Sequence, residues 1–137
     1  MPIAFSDAWA RAWGDAINGS VAYREAAATW EGSIAAVATG PDDDPGSAVF
    51  LEVWHGECRI ARTATLDDLA GATYLLEAPR GAWRELFEGR LGPVMALMTG
   101  KVRVSRGDLA ALLPYGAAAK ELIRLATEVE GEFPPDW

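Results

Sequence analysis

Hydrophobic residues recur along this chain in two rhythms, and the points where one gives way to the other divide it into elements. Between Ser6 and Gly19, Trp9, Trp13 and Ile17 stand four residues apart with Ala8, Ala12 and Ala16 beside them, the spacing that stacks side chains on one helical face. A helix is predicted over Asp7 to Asn18, capped by Ser6 and ended by Gly19 in the left-handed conformation. Ser20 then caps a second short helix through about Ala27. Two tryptophans on one stripe need a large apolar surface opposite, so this pair is expected to face a core.

From Thr29 the rhythm changes. Trp30, Gly32, Ile34 and Val37 among small residues predict a first strand, and Gly40, Pro41, three aspartates, Pro45 and Gly46 predict an exposed turn. The aspartates lack the alternate-residue oxygens and closing glutamate of a calcium loop, so no metal is expected there. Ala48 to His55 alternates, with Val49, Leu51 and Val53 on one face and Phe50, Glu52 and Trp54 on the other; both faces are partly apolar, so both are expected to be partly covered. His55, Gly56 and Glu57 form a tight connection into a third strand, through Cys58, Ile60 and Ala61 to about Thr65, making an antiparallel hairpin. Leu66 to Gly71 reads as a short helix capped by Thr65. Ala72 to Ala78 reads as a fourth strand, stopped by Pro79.

Helical spacing returns in Ala82 to Glu88, where Trp83, Leu86 and Phe87 share a face. It continues in Leu91 to Thr99, where Leu91, Val94, Met95 and Met98 fall at i, i+3, i+4 and i+7 with Leu97 on the flank. Gly100 is placed for a left-handed stop. Lys101, Arg103 and Ser105 alternate with Val102 and Val104 as a fifth strand, which the intervening helices would allow to lie parallel to a neighbour. Asp108 is placed to cap Leu109 to Leu113. After Pro114 a long helix is predicted to about Glu130, with Ala118, Leu122, Leu125, Ala126 and Val129 as its stripe and Gly131 at its end. The tail to Trp137 is expected to fray, the alternative being that its terminal aromatic folds back as a cap. Together these elements predict an α+β fold, a five-stranded, mostly antiparallel twisted sheet covered by about five helices.

Composition narrows the picture. At 137 residues, half of them hydrophobic, the chain suits one compact domain over residues 1–137 and is short for two. No apolar run approaches a membrane span, and no basic segment precedes an apolar block at the N-terminus. A lone Cys58 cannot form an internal disulfide, which fits a cytoplasmic location. The net charge of −8 disfavours nucleic acid as a partner. That charge is unevenly spread: Arg80, Arg84, Arg90, Lys101, Arg103 and Arg106 face only Glu85 and Glu88 between positions 80 and 106, giving +4 there and −12 elsewhere.

Candidate catalytic chemistry is sparse. His55 and Cys58 are the only histidine and cysteine, at the two ends of the predicted turn, and a thiolate–imidazole pair would be a nucleophilic centre. No third group is set to orient the imidazole. A small hydrolase or isomerase using His55 would need a polar pocket holding it beside a carboxylate such as Glu57.

The run Gly89, Leu91, Pro93, Ala96, Met98, then Gly100-Lys101-Val102, Val104 and Gly107-Asp108, resembles the C-terminal signature of the sterol carrier protein type two family. The likeness extends more weakly through Tyr23 to Ile34 and the strands that follow. It differs at one place, where Ser105 and Arg106 stand in a position the pattern usually gives to a single residue. The resemblance implies a sheet and helices enclosing an apolar cavity for fatty acyl chains, acyl-CoA or sterols, in a bacterial-type, non-catalytic carrier without cofactor or metal. On that reading Trp54, Trp83, Phe87, Leu91, Met95, Met98, Leu112 and Leu122 are the expected lining, and Arg84, Arg90, Lys101 and Arg103 the expected head-group contacts. Burial contributes roughly 0.8 kcal/mol per methylene, so about fifteen methylenes supply on the order of 12 kcal/mol against an association cost of about 4 to 15 kcal/mol. Long chains or sterol-sized rings would bind and short acids would not. The acidic surface limits any membrane contact to a transient one. The alternative is an accessory domain that buries the same apolar surface against a protein partner or, as a homodimer, against its own copy.

Overall fold

The computed structural model describes residues 3–40, 47–129, 131–134 and 137. The anticipated acidic turn at 41–46 lies outside the described residues, as do Glu130, Pro135 and Asp136. The elements in chain order are α1 (Asp7–Asn18), α2 (Val21–Ala26), β1 (Glu31–Thr39), β2 (Ser47–Trp54), β3 (Glu57–Thr63), α3 (Leu66–Gly71), β4 (Tyr74–Pro79), α4 (Arg80–Phe87), α5 (Pro93–Met98), β5 (Arg103–Arg106), α6 (Leu109–Leu112), a 3-10 turn (Leu113–Tyr115) and α7 (Gly116–Glu128).

Local chemistry accounts for most boundaries. Ser6 and Ser20 accept the Trp9 and Tyr23 amides at 3.3 and 3.0 Å, satisfying donors that a helix start leaves open. Gly19 is right-handed, at φ −87°, instead of left-handed: its amide bonds back to Asp15 and the chain passes directly into the Ser20 cap, so no reversal is needed there. At the β2–β3 turn His55 and Gly56 both have positive φ, 49° and 86°, the geometry that suits a two-residue hairpin connection. α7 ends at Glu128, where Val129 is already extended, so Gly131 plays no part in stopping it. Trp137 does not fray: its ring lies 5.1 Å from Phe5 and its carbonyl accepts from Arg84.

The strands form one mixed sheet in the order β3-β2-β1-β4-β5. The parallel pair is β1 with β4, whereas β5 runs antiparallel to β4. The reason is the connection: α4 and α5 together make an out-and-back excursion that returns the chain to the sheet end it left. Between β4 and β5 the register jumps, with Leu76 opposite Val104 and Leu75 opposite Arg106. Ser105 is therefore bulged out of the ladder. Beyond it Asp108 still caps α6, accepting the Ala110 amide at 3.0 Å.

Alternation assigns each strand residue to a layer. Ile34, Ala36, Val49, Leu51, Val53 and Ala78 face the main core with α1, α4 and α7, while Ala35 and Phe50 face a smaller cluster with Ala72, packed by Leu69 of α3. α3 is held by a capping box in which Thr65 and Asp68 exchange side-chain and backbone bonds. Asp68 also takes a bidentate contact from Arg62 at 2.8 and 3.1 Å, which, with Thr65, holds its carboxyl below the usual aspartate range. Because the folded pKa is depressed, this stabilisation is complete above the unfolded value near 4 and is lost as pH falls through the folded pKa. Asp68→Ala is expected to cost about 1–2 kcal/mol at neutral pH through the lost return bond of the capping box and the lost Arg62 contact, with a smaller penalty in acid. Urea unfolding at the two pH values checks it.

Candidate functional site

Between the sheet and its helical layer the side chains do not close completely. An apolar pocket of about 90 Å³ remains, partly open to solvent. Its floor is Ile34 and Ala36 of β1, Val49 and Leu51 of β2, and Leu76 of β4; its roof is Gly116, Ala119, Leu122 and Ile123 of α7. Trp13, Trp30, Trp83 and Leu86 form the inner walls, and Pro93, Val94, Leu97, Leu112, Leu113 and Tyr115 form the side toward solvent. Space persists because Ala36, Gly116 and Ala119 supply almost no side chain where floor and roof face one another. Gly116 also sets how close α5 comes: a Cβ there would lie 3.1 Å from Val94 Cγ2.

Few polar groups border this space, and most are already engaged. Trp13 Nε1 donates to the Leu122 carbonyl and Trp83 Nε1 to the Val37 carbonyl, each at 2.9 Å. Tyr115 stacks on Trp30 at 5.1 Å and its hydroxyl pairs with Thr29 Oγ1 at 3.1 Å. Trp30 Nε1 is buried without a partner. Among the described residues no carboxylate, imidazole, thiol or amine lines the pocket, so the lining they form offers no general acid or base of the ordinary kind. What it offers is apolar area of irregular shape.

A model of the SCP-2 sterol transfer family matches residues 15–120 of the chain. The chain belongs to that family. It is 44% identical to the protein in a crystal structure of sterol carrier protein 2, with a TM-score of 0.84 over 93% of this chain and 99% of the other. It is 43% identical to a conserved hypothetical protein from Thermus thermophilus whose solution structure gives a TM-score of 0.82, covering 97% of this chain and 93% of the other. Sterol carrier protein 2 from Yarrowia lipolytica, in its apo form, is 15% identical with a TM-score of 0.55 over 85% and 88% of the two chains, and shares the fold. Comparison with curated proteins finds no significant match. Membership of the SCP-2 family makes this a lipid-binding or transfer domain.

Set against the SCP-2 fold, the residues expected to line a cavity separate into groups. Trp83, Leu112 and Leu122 line the pocket. Phe87 is buried beside it, among Phe5, Trp9, Trp13 and Trp83. Trp54 lies on the opposite face of β2, exposed, stacked on His55 and under the Arg59 guanidinium. Leu91 is half-buried outside α5, and Met95 and Met98 face solvent. The displacement has a simple cause. α5 begins at Pro93, and Pro93, Val94 and Leu97 border the pocket while Ala96 is buried, so of the stripe counted from Leu91 only Val94 reaches inward and Met95 and Met98 turn out.

The expected head-group cations are likewise dispersed. Arg84 bonds the Trp137 carbonyl and lies over Phe133; Arg90 pairs with Glu88 at 2.5 Å; Arg103 pairs with Glu77 at 2.7 Å. Glu77, bonded by Ser105 and Arg103, is held below the usual carboxylate range. Lys101 is exposed and makes no ion pair among the described residues. His55 and Cys58 are separately occupied. The imidazole is surface-exposed and bonded to Glu31 at 2.8 Å, while the thiol is buried, donates to the Ile60 carbonyl, and is pushed up to about 12 by burial. Neither lines the pocket.

The expected lining omits most residues that border the pocket, among them Trp13, Trp30, Ile34, Val49, Leu51 and Leu76, as well as the small Ala36, Gly116 and Ala119. The signal of the small ones was a shortage of volume, alanines and glycine on a core-facing strand and helix where neighbours at the same depth are large.

Proposed function

We propose that the chain is a non-catalytic carrier that holds the hydrocarbon part of a fatty acyl, acyl-CoA or sterol-like lipid between the sheet and α7. The observation that carries this reading is the apolar pocket, walled by tryptophans whose N–H groups are mostly tied to backbone carbonyls. A cavity of about 150 Å³ lined by aliphatic side chains takes up benzene; this one is smaller inside but open at one end, so a ligand fills it with a few carbons and continues through the mouth. Each methylene withdrawn from water contributes about 0.8 kcal/mol, with little directional bonding. Affinity therefore rises with chain length and selectivity among chains is broad. The head group stays in water at the mouth, between α5 and the 3-10 turn. An inert Cys58 thiol fits a reducing, cytoplasmic setting.

Titration of the purified protein with cis-parinaric acid, after solvent extraction and mass spectrometry of whatever lipid co-purifies, tests the reading. Saturable binding of one chain per protein, tighter as the chain lengthens, is expected. A lipid-free protein that gives no saturable signal with acyl chains or sterols would overturn it.

A further inference from the structure

We propose that Trp30 selects, among the chains the pocket can hold, those that carry a neutral oxygen along their length, by donating its indole N–H to that oxygen. This rests on the carrier reading. Three tryptophans line the pocket, and they differ in one respect. Trp13 and Trp83 have their N–H groups tied to the Leu122 and Val37 carbonyls, so neither serves a ligand without giving up a bond to the fold. Trp30 is 3% exposed, and its Nε1 has no partner among the described residues. Its main chain is fully engaged, the amide donating to the Ala27 carbonyl and the carbonyl accepting from the His55 amide. Only the indole donor is left over. The Tyr23 hydroxyl is buried and unpartnered as well, but Tyr23 does not line the pocket.

A buried donor without an acceptor is costly, and folded proteins seldom keep one. The described lining is aliphatic and aromatic apart from the Tyr115 hydroxyl, and that hydroxyl is already bonded to Thr29, at Oγ1 and at the carbonyl. The space beside Trp30 is where the ligand's chain lies, so the ligand is the species that can bring the missing acceptor. Charge decides its kind. No cation among the described residues lines the pocket, so a carboxylate drawn in beside Nε1 would exchange its hydration for a single neutral donor. A hydroxyl, ketone or ester oxygen gives up far less. An acid's carboxylate therefore stays at the mouth, and the oxygen that Trp30 meets sits farther along the chain. The donor is covered in the empty protein, so it meets an acceptor only as an entering chain displaces its neighbours. Tyr115, stacked on the indole at 5.1 Å and held to Thr29 by exposed bonds, is a neighbour able to yield. Because a hydrogen bond needs both distance and angle, the position of the oxygen on the chain matters as much as its presence.

The test displaces cis-parinaric acid with stearic acid and with a series of hydroxystearic acids that differ in the carbon bearing the hydroxyl. It is run on the wild type and on Trp30→Phe, which keeps a ring against Tyr115 and removes the donor. In the wild type one isomer is expected to bind about tenfold tighter than stearic acid, and isomers with the hydroxyl well away from that carbon no tighter. In Trp30→Phe the preference should disappear while stearic acid stays within about twofold of its wild-type affinity. The Trp30 indole N–H resonance, identified through its nuclear Overhauser contacts with Tyr115, should move downfield on adding the preferred isomer and not on adding stearic acid, a readout that does not depend on the variant folding. Isomers that all compete no better than stearic acid would overturn the inference and leave the carrier reading standing. So would a preference that persists in Trp30→Phe, or one that leaves the wild-type N–H resonance unmoved. A protein that takes up neither cis-parinaric acid nor any of the stearic acids would overturn both.

Discussion

Ala36→Phe is expected to abolish acyl-chain binding in a protein that still folds. Ala36 is buried at the centre of β1, in register with Val49 on one side and Leu76 on the other, and all three form the pocket floor. A benzyl group placed there rises toward Gly116 and Ala119 and occupies the space a ligand would use. Withdrawing about five methylenes' worth of burial removes about 4 kcal/mol, roughly a thousandfold in affinity. The stability change is smaller: overpacking costs about 1–3 kcal/mol in a filled core, but here the ring enters existing space and gains its own burial. Far-ultraviolet circular dichroism with cis-parinaric acid titration separates the two effects. A folded Ala36→Phe protein that bound acyl chains with wild-type affinity would place the ligand somewhere other than between β1 and α7.

The helices and strands were legible because each announces itself locally. The Trp9, Trp13, Ile17 stripe, the Ser6, Ser20 and Thr65 caps, and the alternation in Val49 to Trp54 are one-dimensional signals that nothing in the tertiary structure overrides. The five-stranded sheet was legible for the same reason, together with the family signature around Gly100 to Asp108. Which strands run parallel was not, because that depends on whether a connection crosses the sheet or returns, a property of helix packing rather than of any residue pattern. The phase of α5 was lost through a boundary. Four apolar residues at helical spacing fitted a stripe from Leu91, and only the break at Gly92-Pro93 shows that the stripe must be counted from two residues later. Trp54 failed differently: alternation correctly put it on the far face of β2, but that face is covered only as far as Phe50 by α3, leaving Trp54 to stack on His55 and Arg59 in solvent. Pattern reading finds side chains that fill a core more readily than it finds the gaps between them.

Trp83→Ala should produce the largest loss of stability of any single change near the pocket. The indole forms one wall of the pocket, lies 5.8 Å from Phe5 and 5.9 Å from Phe87, and donates to the Val37 carbonyl in the centre of the sheet. Phe5 itself sits at φ 69°, an unfavourable conformation for a side chain of its size, which persists because Trp9, Trp83, Phe87 and Trp137 surround it. Truncation therefore removes three supports together: the buried ring, the hydrogen bond between α4 and β1, and part of the packing that holds Phe5. Large-to-small changes at buried tryptophan cost about 3–5 kcal/mol, a large share of the roughly 5–15 kcal/mol typical of a whole domain. At roughly 4 °C per kcal/mol for a chain of this size, Tm should fall by about 15 °C. Trp83→Phe keeps most of the ring and loses the donor, so its cost should be nearer to about 1–2 kcal/mol. If urea midpoints gave equal, small losses for both variants, α4 would not be anchored to the sheet through this side chain, and the inner wall of the pocket would have to be held by Leu86 and Trp13 instead. The contrast with Ala36→Phe follows from the same geometry: the sheet side of the pocket tolerates added volume because nothing occupies it, whereas its tryptophan wall tolerates no loss because the wall is also the core.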